Sequence, residues 1–163
     1  MAHIELRELR DDDLDAIFEM MRDPDAVRMA AFTASDPEDR REFDEWISRE
    51  RSSPDVDLFV VTERGGFAGT AALFTVDGER EVTCWIAHHA WGRGVATDAL
   101  RLLTTREPIR PLFARAAADD LPWIAVLERG GFTEVSRTVA FAPGVGRDVE
   151  EILLTLLPVL DGA

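Results

Sequence analysis

The spacing of hydrophobic and polar positions changes period several times along the chain. From residue 4, "IELRELR" alternates apolar and polar residues as a half-buried strand does. "DDDLDAIFEMM" then places apolar residues at helical spacing behind aspartates that suit the positive end of a helix. "DPEDRREFDEWISRER" keeps the helical period, entered through Asp36 and Pro37, with Phe43, Trp46 and Ile47 on one side and a solvated charged face on the other. After the turn "SSPD", the runs "VDLFVVTE", "FAGTAALFTV" and "REVTCWIA" are β-rich and separated by "RGG" and "DGE", which predicts an antiparallel meander.

"GVATDALRLLTT" returns to helical spacing through Val95, Ala99, Leu102 and Leu103, and "PLFARAA" is short and apolar enough for a buried strand. "DLPWIAVLERG" reads as a short helix stopping at Gly130, before the strands "GFTEVSRTVAF" and "EEILLTLL" around the Pro-Gly loop "APGVGRD". The predicted class is α/β: a mixed, mostly antiparallel sheet of about seven strands flanked by about four helices. The sheet is mixed because meander strands are antiparallel, whereas a helical crossover joins parallel ones. With 163 residues and no linker, repeat or low-complexity segment, residues 1–163 are expected to form a single domain.

Composition narrows the function. The N-terminus lacks the basic start and apolar stretch of a signal peptide, and the longest apolar run, "ILLTLLPVL", is too short to span a bilayer, so a cytoplasmic protein is expected. A net charge of −14 repels nucleic acid and anionic membrane, and neither is expected as a partner. Residues 1–57 carry 18 acids against 8 arginines, net −10, which leaves −4 for the rest and favours a cationic partner near the N-terminal half. The chain contains no Lys, Asn, Gln or Tyr, a bias that suggests GC-rich coding and leaves no lysine amine or tyrosine hydroxyl for catalysis. Cys84, the sole cysteine, has no partner for a disulfide or a metal cluster and reads as a small apolar strand residue. No metal is expected.

The candidate chemistry lies in "WIAHHAWGRGVATDAL". A strand runs into Gly92-Arg93-Gly94 and a helix begins near Val95, so unpaired backbone N–H groups gather at the positive end of a helix dipole. Glycine there lets a phosphate approach the main chain, and Arg93 would add a charge. A nucleotide-triphosphate loop needs a lysine the chain lacks, and a GxGxxG dinucleotide fingerprint fails at Thr97.

On these residues the chain resembles the GNAT superfamily of acetyl-CoA-dependent N-acetyltransferases, and within it the branch that includes ribosomal-protein N-terminal acetyltransferases. The family's pyrophosphate motif corresponds to Trp91, Gly92, Arg93, Gly94, Val95 and Ala96. The likeness extends through "CWIAHHAWGRGVATDAL", "PLFARAAADD" and "VLERGGF", and more loosely through "RMAAFTASDPEDRREF". It implies acetyl-CoA as cofactor, held from Trp91 to Thr97, and an amine acceptor: a small-molecule amine or a protein or peptide N-terminus, which the charge of the acidic N-terminal half would favour as a cation. It implies Glu81 as the base, a backbone N–H at Ile86 or Ala87 for the carbonyl oxygen, and room for a homodimer.

Two positions depart from the family pattern. Leu127 stands where many members have a thiolate-protonating tyrosine, which leaves the acid to solvent, His88 or His89. Asp120, Leu121, Pro122 and Trp123 stand where the branch usually has Asn, a small residue and Ser. Asp120 would cap the following helix, with Pro122 in its first turn, and Trp123 would pack on the pantetheine arm or narrow its channel. These departures keep open an alternative, a catalytically impaired CoA-binding or protein-interaction domain of the same fold.

Overall fold

The computed structural model describes residues 3–23, 38–142 and 146–159. The helix entry expected at Asp36 and Pro37, residues 28–37 of the looser part of the resemblance, and the centre of the Pro-Gly loop lie outside them.

Strand β1 (Ile4–Glu8) leads through a short 3-10 turn into helix α1 (Leu14–Met21), and helix α2 spans Arg40–Ser52. The meander follows as β2 (Val56–Glu63), β3 (Gly66–Val76) and β4 (Glu79–Ile86). Helix α3 (Val95–Arg106), β5 (Leu112–Ala117), helix α4 (Leu121–Arg129), β6 (Thr133–Ala142) and β7 (Arg147–Leu156) complete the order. The seven strands form one sheet in the order β1-β2-β3-β4-β5-β7-β6. Only the β4–β5 pair is parallel, as a helical crossover between them requires.

Alternation along each strand supplies two cores, one per face. Val61, Leu73, Val82, Ala114, Ala116, Ile152 and Leu154 pack with Val95, Ala99, Leu100 and Leu103 of α3 and with Val126 and Leu127 of α4. On the other side, Val60, Leu58 and Trp85 pack with Ile17, Phe18 and Met20 of α1 and with Phe43 and Ile47 of α2. In α3 the buried stripe runs through Leu100; Leu102, assigned inward by the spacing, is half-buried. The N-cap of α2 is Asp39, whose carboxylate accepts the Glu42 N–H at 3.0 Å. Among the described residues, no helix is long and apolar enough to cross a membrane.

Candidate active site

Strands β4 and β5 pair only at Arg80–Leu112 and Glu81–Phe113, and beyond those residues the ladder stops. The opening becomes a cavity of about 860 Å³, walled by Thr83 to Ile86 of β4, Arg115 to Ala117 of β5, the start of α3 and the inner side of α4. Ala87 donates its N–H to Ala68 at 2.8 Å, on the β3 side. Strand alternation therefore turns the N–H and C=O of Ile86 toward the opening. The Ile86 carbonyl accepts the indole N–H of Trp91 at 2.7 Å, which leaves the Ile86 N–H as the donor facing the gap.

At the head of α3, Gly92 (φ 81°) and Gly94 (φ 75°) both occupy the left-handed region. A Cβ added at either would meet nothing within 4 Å, so the turn presents open space above the first N–H groups of the helix. That is a cradle shaped for an anionic oxygen. Trp91, Gly92, Gly94, Val95, Ala96 and Thr97 all line the cavity with Ile86. Arg93 does not: its Nε reaches Glu63 at 3.1 Å and its Nη2 at 2.5 Å, and Nη1 donates to the His89 carbonyl at 3.1 Å. The guanidinium holds the Glu63 carboxyl below its ordinary range. The charge expected to face a phosphate thus braces the outer side of the turn against the end of β2. Ala87 also falls away as a donor, because its N–H is already committed.

One cation on the wall with no local sequence signal is Arg129, in the last turn of α4, which makes no ion pair or hydrogen bond among the described residues. Asp120 and Trp123 do line the cavity. The Asp120 carboxylate caps α4 by accepting the Trp123 N–H at 3.3 Å, and burial pushes its pKa up to about 6. The Trp123 indole donates to the Arg115 carbonyl at 3.1 Å, fixing the ring across the α4–β5 boundary.

Glu81 sits on the face shared with α1 and α2, at 4% exposure. Its Oε1 accepts from Arg115 Nε at 2.8 Å, and Arg115 Nη1 also reaches Glu151 of β7 at 3.2 Å. Burial raises the Glu81 carboxyl pKa, and the Arg115 charge opposes that rise. Glu81 is not on the cavity surface; Arg115 and Glu151 are. Neither residue was flagged by the sequence, since only the β5–β7 register places them there.

Leu127 is fully buried in the core and supplies no proton. The His88 ring stacks on Trp91 at 4.2 Å and bonds Asp23 at 3.0 Å, while His89 bonds the Phe67 carbonyl at 3.1 Å. Neither histidine lines the cavity. Cys84 does, with burial pushing its thiol up to about 12, so it stays protonated and a poor nucleophile. Several acids of the N-terminal half pair with arginine: Asp13 with Arg7, Asp15 and Asp44 with Arg40, Glu45 with Arg41, Asp11 with Arg51, and Glu19 and Glu38 with Arg22.

The model of the family described as Acetyltransferase (GNAT) domain matches residues 3–133. No curated protein sequence matches the chain. Among solved structures, spermidine N-acetyltransferase from Vibrio cholerae in complex with CoA and spermine superposes with a TM-score of 0.77 at 20% identity, over 94% of this chain and 95% of that one. Ribosomal-protein-alanine N-acetyltransferase from Brucella melitensis gives 0.75 at 21% identity, over 94% and 99%. The protein yncA from Salmonella typhimurium, with its cofactor acetyl-CoA, gives 0.73 at 19% identity, over 98% and 96%.

Proposed function

Because the chain belongs to the GNAT acetyltransferase family, we propose that it transfers an acetyl group from acetyl-CoA to a primary amine, a cationic small molecule or a peptide N-terminus. The observation that carries this reading is the opening between β4 and β5 with a double-glycine helix start at its mouth. The N–H groups from Gly94 to Thr97 would hold the pyrophosphate, and Arg129, in place of Arg93, would add a cationic contact. Trp91, Val95, Ala96, Asp120 and Trp123 would flank the pantetheine arm. The Ile86 N–H would hold the carbonyl oxygen as negative charge develops there, with Trp91 fixing the Ile86 peptide by its bond to the carbonyl.

Acetyl-CoA, when bound, supplies a thioester whose C–S bond breaks as the C–N bond to the amine forms. The acceptor enters as an ammonium ion and must shed one proton to become a nucleophile. Glu81, its affinity for a proton raised by burial, would take it through water past Arg115. The nitrogen loses a second proton as the amide forms and the departing sulfur gains one from solvent, so the products are the acetamide, CoA thiol and one free proton.

A second reading is a domain that binds CoA without transferring acetyl. The buried Leu127 and the position of Glu81 behind Arg115 favour it. Thermal unfolding with and without acetyl-CoA tests the binding shared by both readings. Thiol release from acetyl-CoA across a panel of amines separates them: transfer predicts amine-dependent release, and the binding module predicts none.

A further inference from the structure

The charges beside the cavity do not balance on the α1/α2 face of the sheet. Two carboxylates, Glu81 and Glu151, share one guanidinium, that of Arg115, which leaves one negative charge uncompensated. Glu81 spends that charge in the interior, at 5% side-chain exposure. Glu151 stands at the cavity surface at 15%, with one oxygen on Arg115 and its second oxygen free of any hydrogen bond among the described residues.

Register gives its height in the cleft. From the parallel pair Glu81–Phe113, strand geometry brings Thr83 level with Arg115 and Trp85 level with Ala117. Across the antiparallel ladder, Ala117 pairs with Glu151. Glu151 therefore lies beside the open part of the gap, one residue short of Ile86, on the face opposite α3 and α4.

We propose that Glu151 is the carboxylate that receives the acceptor's ammonium group, with Arg115 as the positioning residue that holds it. This rests on the acetyltransferase reading and assigns the selection of a cationic acceptor to the cavity wall instead of the acidic N-terminal helices. On those helices Asp15, Glu19, Asp44 and Glu45 are already matched by arginine in exposed pairs, a geometry that contributes little to binding. A half-satisfied carboxylate in a largely desolvated wall gives a stronger and more local preference for a cation. Arg115 has a second effect: its bond to one oxygen of Glu151 holds the carboxylate in place and leaves the other oxygen available.

The test uses the intact protein saturated with CoA, which cannot react, and titrates spermine as a cationic probe by calorimetry. Spermine should bind the wild type saturably, and Glu151→Gln should weaken it tenfold or more while the CoA Kd moves less than twofold. Glu151→Asp, which keeps the charge, should stay within about threefold of the wild type. Glu45→Gln, which removes one exposed charge on α2, should leave spermine binding unchanged. Equal spermine affinity in wild type and Glu151→Gln would overturn the proposal, as would no saturable binding to the wild type or an equal loss in Glu45→Gln. Failure of CoA itself to bind would instead reject the acetyltransferase reading on which the proposal rests.

Discussion

Asp120 couples the cavity wall to the stability of the fold. Its carboxylate caps α4 but is mostly withdrawn from water, so ionising it in the folded state is costly. The folded pKa is about 6 against an ordinary 3.8, a gap worth about 3 kcal/mol. The sign follows from linkage. The folded state binds the proton more tightly than the unfolded chain does, so stability contributed by the protonated group is complete below 3.8 and is lost as pH rises through 6. Asp120→Asn keeps an oxygen for the Trp123 N–H and removes the titration. It should stabilise the protein by about 3 kcal/mol at pH 7.5, by about 1 kcal/mol at pH 4.5 and by almost nothing near pH 3. Urea unfolding of both proteins across that range, followed by tryptophan fluorescence, gives the difference directly and cancels every other titrating group. A gain that stays constant with pH, or a loss of stability at pH 7.5, would refute the argument.

Three further outcomes follow from the same geometry. Gly94→Val should weaken acetyl-CoA binding tenfold or more by calorimetry, because the side chain enters the open space above the helix start, and it should also cost about 1–2 kcal/mol in urea unfolding for a left-handed backbone. Arg129→Gln should weaken CoA about tenfold and leave pantetheine, which lacks the nucleotide phosphates, unaffected, whereas Arg93→Gln should cost CoA less than threefold; a larger loss at Arg93 would mean that its brace to Glu63 opens on binding. Glu81→Gln should lower kcat about 100-fold with the acetyl-CoA Kd nearly intact, and wild-type activity at every pH would remove Glu81 from the mechanism.

What the sequence made legible, and what it hid, divides by range. The meander strands and the start of α3 were readable because alternation and helical spacing are local, and so was the capping of α4 by Asp120. The fate of Arg93 was not, since its partner Glu63 is thirty residues away and meets it only after β2 folds against the turn. Arg115 and Glu151 carried no local signal at all, because two cross-strand registers must be known before they meet beside Glu81. Arg129 left a trace: in a chain without lysine every fixed cation is an arginine, and one of them ends the helix that walls the cavity. Arg93 is next to the turn in sequence but lies off the cavity, whereas Arg129 lines it. Ala87 and Ile86 were equivalent on paper until the bond to Ala68 fixed which N–H faces β3.

Amine acetylation is tested by CoA thiol release from acetyl-CoA with a panel of amines and peptide N-termini, with the acetylated product identified by mass spectrometry. Amine-dependent release with stoichiometric acetamide is expected, strongest for acceptors that carry a positive charge. A melting-temperature rise with acetyl-CoA but no acetamide from any amine would contradict it and leave a CoA-binding domain.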